Sequence, residues 1–387
     1  MASPVERNPF SGRGGNGALP DNLPNLPEEE EVAIEIELPE DMDGNEEFME
    51  QLLSPMGEEV YDHWENLALA LDEEELLEIA NNVIEEFEAD KESRSEWEST
   101  FERGFDLLGL KLEEASEPFE GACTAVHPLI IESAVKFQSK ASQEIFPSKG
   151  PVRTQIMGAS TPDKEKQANR VMNFMNYQLT EQMPEYFDET ERMLFNLPIF
   201  GSAFKKIYYD LTLERPVAEF VPIDNFYVSY NASDLQNADH YTQVIYRTPN
   251  DLRKDIMSEM YSLPEDDEML EPSEVTPTTL RQKMDNILGI QPDYTQNPQH
   301  TLLEHHCYLD IEHQNDEDDS YEKDTKHKFC IGLPYVVTVD LDSKSVLSIR
   351  RNWNENDPLK EKLLWFTHYR FVPGFGFYGL GYIHFLG

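Results

Sequence analysis

The hydrophobic period of this chain changes once, near residue 200, and that change limits its architecture more than any other feature. Before it, apolar residues recur every three or four positions. Leu76, Ile79, Ala80, Val83 and Phe87 trace one face of a helix that opens at Asp72. Glu75, three residues on, has the spacing of a capping box with Asp in place of Ser or Thr. Trp97, Phe101, Gly104 and Leu108 continue that seam. A second helix is predicted from about Thr124 to Phe146, with Val126, Ile130, Ala134, Phe137, Ala141 and Ile145 as its buried stripe and Pro147 as its stop. A third starts with Thr161 as N-cap and Pro162 at the first helical position. Its buried stripe is predicted to be Ala168, Val171, Met175 and Leu179, and Pro184 marks a break before a helix over 185–197.

After residue 200 the period is two. Ala203 to Tyr209 and Val217 to Val221 read as paired strands, followed by strands near 226–230 and 242–247. Thr248, Pro249 and Asp251 open a short helix. Residues 262–300, rich in Pro and acid, read as a long surface excursion. Further strands are expected at about 302–311, 333–341, 346–351 and 363–371, with 315–324 as an acidic hairpin tip. Helices first and then a mainly antiparallel sheet is the α+β class. The expected organisation is a disordered acidic tail over 1–60, a helical part over 61–200, an antiparallel β-rich part over 201–371 and an aromatic-glycine turn over 372–387.

Charge limits the partners. The chain carries 31 Lys+Arg against 76 Asp+Glu, a formal net charge of −45 over 387 residues. Such a surface repels phosphate, which argues against a grip on nucleic acid or an anionic membrane. Residues 1–100 hold 30 acids and 4 bases, so much of the excess belongs to the N-terminal region. In the tail, prolines and the Glu28–Glu31 block oppose folding, while Ile34, Ile36 and Leu38 alternate as an edge strand would. Asp41, Asp43, Gly44 and Asn45 fail as a calcium loop, because Glu46 and Leu52 stand where glycine and glutamate are required. Cys123, Cys307 and Cys330 are too few for a disulfide framework. The N-terminus lacks a secretory apolar core, and no apolar run suits a membrane span. The expectation is a soluble protein of a reducing compartment.

Two constellations invite a chemical reading. Gly374, Gly376 and Gly379 fit G-x-G-x-x-G, but a dinucleotide site needs a helix, a second strand and a later acid. Phe375, Phe377 and Tyr378 are also bulky where backbone should meet pyrophosphate. The reading preferred is an aromatic-glycine turn in which rings pack and glycines supply unusual φ and ψ. His305, His306, Cys307, His313, His327 and Cys330 resemble a ligand set. On a strand, however, His305 and Cys307 face one side and His306 the other, so a core cysteine with solvated histidines is preferred. His127 beside Pro128 reads as a capping or packing residue. The chain has no P-loop motif and no G-x-S-x-G elbow. Lys205, Lys206, Arg350, Arg351, Lys360 and Lys362 are expected to partner acids between strands or subunits. No catalytic residue, metal or cofactor is expected.

Several blocks resemble the portal proteins of tailed bacteriophages, in particular those of certain short-tailed phages. They are DKESRSEWESTFERGFDLLGLKL (90–112), PFEGACTAVHPLIIESAVKFQSKASQEIFPSKGPVRTQI (118–156), FMNYQLTEQMPEYF (174–187), MLFNLPIFGSAFKKIYYD (193–210), NDLRKD (250–255), VLSIRRNWNENDPL (346–359) and FTHYRFVPGFGFYGLGYIHFLG (366–387). The resemblance runs over about 70–387, omits the tail and is weak in 262–300.

What the resemblance implies is a homo-oligomeric ring, usually dodecameric, at the portal vertex of the virion, assembled in the host cytoplasm. Its partners would be terminase, the major capsid protein, scaffold and a tail adaptor, with double-stranded DNA passing through unread and no membrane. Helices 72–115 and 124–199 and the strands would form the outer wing, and the Gly374–Gly381 turn would lead to a channel-lining stem. Relatives continue at length beyond the position of Gly387, so the resemblance implies a truncated chain. An acidic wall suits passing DNA, since it offers no counterion release. Arg350, Arg351 and Lys360 are candidates for pairing across the heterologous contacts of a ring. The alternative is an acidic DNA mimic or interaction protein that sequesters a basic partner.

Overall fold

The computed structural model describes residues 63–106, 108, 128–210, 213–229, 231–263, 270–272, 279–290, 298–311 and 332–386. The predicted tail, Cys123, His127, the 315–324 hairpin tip, His313, His327 and Cys330 lie outside the described residues. The class is α+β, as the change of period implies.

Helix α1 spans Glu73–Ser93 and begins where the capping box places it, with the Asp72 carboxylate accepting the Glu75 amide at 2.8 Å. Arg94 breaks the helical run, and α2 follows over Ser95–Asp106. The expected single seam is therefore two helices. Helix α3 covers Leu129–Ile145. Thr161 caps α4, Pro162–Tyr177, which passes through a π-helical turn at Gln178–Gln182. After Pro184, α5 covers Glu185–Phe200 and stops at Gly201, whose φ of +85° suits glycine.

The strands form two antiparallel sheets where the sequence suggested one. Strands β1 (Ser202–Asp210), β2 (Arg215–Val221) and β8 (Phe366–Arg370) make a three-stranded sheet in the order β2-β1-β8. A five-stranded meander follows the chain through β3 (Phe226–Val228), β4 (Tyr241–Arg247), β5 (His300–Leu309), β6 (Leu333–Asp340) and β7 (Val346–Arg351). Pro222 and the turn at Ile223–Asn225 separate β2 from β3. The final strand returns across the sequence to pair with β1, setting Phe204 opposite His368.

Helix α6, Pro249–Met257, is capped by Thr248 as expected. The 262–300 excursion needs correction. It contains helix α7, Thr279–Leu288, whose Leu280 is buried in the central core and whose Lys283 ammonium donates to the Glu102 carbonyl of α2.

Burial explains the arrangement. Ala80, Val83, Ile84 and Phe87 of α1 cover one face of the meander, over Leu303, Tyr335, Val337, Val339 and Ile349. On the opposite face, Leu252 of α6 and Tyr261 pack on Leu302 and Leu347. Between the sheets Phe101, Phe200, Phe204, Phe226, Tyr241, Phe366 and Phe377 form one aromatic core drawn from both parts of the chain. The helical and β-rich parts therefore share a core.

Candidate functional site

The aromatic-glycine turn closes over that core. Val372 bridges Leu380, with the Leu380 amide donating to the Val372 carbonyl at 2.8 Å, and a short helix α8, Tyr382–Leu386, follows. Phe377 stacks on His368 at 4.4 Å between ring centroids, and Tyr378 stacks on Trp97 of α2 at 4.7 Å. The rings pack as expected, except that Phe375 is fully exposed. The glycines act differently from the expectation. None of Gly374, Gly376, Gly379 or Gly381 has positive φ. Gly379 and Gly381 are needed because their backbones run against the end of α5. A side-chain carbon at Gly379 would overlap the Gly201 carbonyl, and one at Gly381 the Ile199 carbonyl. The Gly379 amide, which a phosphate-binding turn would offer outward, donates instead to Ser202 Oγ at 2.8 Å.

His305 and His306 are buried, which corrects the expectation of solvated imidazoles for these two. Alternation holds: Cys307 points into the α1 core, and His306 stacks on Tyr241 on the other side. His305 lies between Thr242 Oγ1, 2.8 Å from its Nδ1, and Glu86 Oε2, 3.0 Å from its Nε2. This is the bonding order of a hydroxyl–imidazole–carboxylate relay. Thr242 and His305 are both 0% exposed, so no substrate reaches the hydroxyl, and the relay fastens α1 to the sheet. His240 joins it, 3.1 Å from Asp90 Oδ2 and 3.5 Å from Glu86 Oε2. Burial pushes His305 and His306 below the usual imidazole range. Burial also opposes charge on His240, but the hydrogen bond with Asp90 and that carboxylate's charge raise it. Among the described residues no group of three or more His, Cys, Asp or Glu is arranged to hold a metal ion.

The basic residues singled out from the sequence are largely internal. Lys206 on β1 reaches both Glu304 oxygens on β5 at 2.6 Å, linking the two sheets. Burial alone would raise the Glu304 carboxyl, but Lys206 and His306 hold it down to about 2. Lys205 points the opposite way, to Thr190 Oγ1 at 2.5 Å and over the Tyr186 ring, and burial brings its ammonium down to about 8. Lys362 donates to the Ala238 carbonyl, and Lys360 lies over the Trp353 ring. Arg350 and Arg351 bond to backbone carbonyls of their own chain. Arg350 donates to the carbonyls of Trp64, Glu259 and Met260, and Arg351 to that of His63. Both guanidiniums hold this chain's own segments together.

Arg94, which sequence reasoning did not single out, is a buried polar node. Its Nη1 donates to the Ile223 and Phe226 carbonyls at 3.0 and 2.7 Å, its Nε pairs with Glu98 at 2.6 Å, and its guanidinium lies 3.6 Å from the Tyr227 ring centroid. A helix-breaking arginine between two amphipathic runs was the available signal.

What faces outward is α4. Its predicted buried stripe is only partly covered: Ala168 and Leu179 are half-buried, whereas Val171 and Met175 are exposed, as are Phe174 and Tyr177 beside them. Val171 is 47% exposed, Phe174 58%, Met175 38% and Tyr177 53%, and no residue of the helix is buried. One flank is held by the extended 152–154 segment, through Asn176 bonded to both backbone groups of Val152 and Thr154 donating to the Ala168 carbonyl. A depression of about 430 Å³ between α3 and α5 is lined by Gln138, Asp188, Glu191, Arg192, Phe195 and Asn196. Among the described residues no helix is long and apolar enough to cross a membrane. No family model matches the chain, and no curated protein matches it.

Proposed function

We propose that this chain is a wing-like part of a bacteriophage portal subunit, a structural protein that assembles with further copies of itself into the ring through which DNA is packaged and ejected. The observation that supports this reading most is the convergence of the resembling blocks. Trp97 from the first stacks on Tyr378 from the last, Phe101 meets Phe200, and Phe204 lies parallel to Phe377. Segments nearly three hundred positions apart form one core, as parts of a single inherited architecture would. The internal bonds of Lys205, Lys206, Arg350 and Arg351 agree with a protein that conducts DNA without gripping it.

In this reading the 374–381 turn carries the chain from β8 toward the channel, and terminase and the tail adaptor dock on the assembled ring. The test is expression of the natural reading frame followed by electron microscopy and native mass spectrometry. A closed ring is expected. A monomer at micromolar concentration, or a stoichiometric complex with a basic protein in place of a ring, overturns the proposal.

A further inference from the structure

Helix α4 is unusual in charge as well as in exposure. Residues 128–183 hold 7 Lys+Arg against 5 Asp+Glu, a net positive stretch in a chain of −45. Lys166 and Arg170 have no carboxylate partner among the described residues, and Arg170 stands one turn before Phe174 and two before Tyr177. The exposed face of α4 is therefore apolar with a basic flank.

The same chain carries the opposite surface on α1. That helix holds 9 Asp+Glu and one Lys. Glu73, Glu74, Glu78 and Glu85 are exposed and have no ion-pair partner among the described residues. Set among them is Leu77, 52% exposed, with Leu69 at 71% just before the helix. The two patches belong to different parts of the fold: α1 packs on the five-stranded meander, whereas no residue of α4 belongs to any of the buried clusters. Among the described residues each sets exposed apolar side chains beside unpaired charged ones, acidic on α1 and, past the Asp163 and Glu165 of its first turn, basic at Lys166 and Arg170 on α4.

We infer that α4 docks on the α1 face of a second copy of this chain, head to tail, with Val171, Phe174 and Met175 against Leu77 and Leu69, and Lys166 and Arg170 against Glu74 and Glu78. Contacts between two different patches of one chain are heterologous and propagate around a ring when the rotation closes. Opposite charge in the contact fixes its register, and it offsets the repulsion between two chains this acidic. The inference rests on the ring reading for its occupant and names the surface that reading requires.

The test uses the natural full-length protein. One population carries Asn82→Cys, on the acidic face of α1, and a second carries Gln167→Cys, on α4. They are mixed under dissociating conditions, reassembled and oxidised. A disulfide between the two populations is expected, with no comparable product from either alone. Lys166→Glu with Arg170→Glu weakens association at least about tenfold, and Glu74→Lys with Glu78→Lys on the neighbour restores it. Rings without the 82–167 disulfide overturn the interface and leave the portal reading standing. The disulfide without rings supports the interface and overturns the portal reading. Neither product overturns both, and a cross-link confined to one chain, or a stripe covered by residues 107–127, overturns the interface.

Discussion

Gly379 lies against Gly201 so closely that a methyl group on Gly379 would overlap the Gly201 carbonyl oxygen, while a carbon added to Gly201 would lie 2.5 Å from the Gly379 carbonyl. This contact fixes the aromatic-glycine turn on the end of α5 and sets Phe377 and Tyr378 into the core. Backbone meets backbone there, so neither side can yield by rotating a side chain. Gly379→Ala is expected to cost about 1–3 kcal/mol. Gly376 has nothing within 4 Å of an added carbon, so Gly376→Ala stays within about 0.5 kcal/mol of the parent. Urea unfolding of the two variants checks the contrast, and equal losses would contradict it.

The Lys206–Glu304 pair joins the two sheets through a buried contact. Lys206→Met strands a carboxylate in the interior and is expected to cost about 3–5 kcal/mol. Combining it with Glu304→Leu removes the stranded charge and recovers most of the loss. A double variant no more stable than Lys206→Met, measured by chemical denaturation, argues against an isolated charge as the cause.

Arg94 uses the shape of guanidinium as well as its charge, donating to two carbonyls and a carboxylate while lying on Tyr227. Lysine supplies the charge but not the fork. Arg94→Lys is therefore expected to lower stability by about 2 kcal/mol, since buried carbonyls of Ile223 and Phe226 lose donors. A thermal midpoint within a degree of the parent would refute this.

Acid sensitivity follows from the buried imidazoles. Burial against Phe204 and Phe377, with Arg370 nearby, takes His368 down to about 3. In the unfolded chain a histidine binds a proton near 6.5. As pH falls through 6.5 the unfolded state gains a proton that the folded state refuses, so stability drops, and it continues to drop until about pH 3. His300, His305 and His306, also lowered by burial, act in the same direction. His240, raised beside Asp90, acts oppositely: its contribution is present in acid and lost as pH rises through its folded value. His368→Phe preserves the ring stack and should flatten the decline by about 1 kcal/mol at pH 5.5. Parallel stability curves for parent and variant from pH 8 to 5 would rule this out.

Much of the fold was legible because its signals are local. Asp72 with Glu75, Thr161 with Pro162, and Thr248 with Asp251 each declare a helix start through groups within four residues. Strand alternation at 203–209 and 217–221 marks a hairpin for the same reason. The candidate site was less legible. His305 and Cys307 sharing a face follows from the pleat, but Glu86 and Thr242 as partners of His305 depend on where α1 lands. Arg350 and Arg351 look like surface cations in sequence, and only the approach of residues 63–64 and 259–260 shows them bound within the chain. The stripe on α4 has the period of a buried helix, yet periodicity does not say whether the covering surface belongs to the same chain.

The sequence by itself determined the α+β class, the helix starts, the strand faces and the acidic balance, because capping, pleat and charge act over a few residues. Tertiary structure alone decided that the strands divide into two sheets, that β8 closes on β1, and that Gly379 must meet Gly201. Those outcomes depend on contacts between residues more than a hundred positions apart, where burial of a shared aromatic core selects one arrangement among many that the local pattern allows.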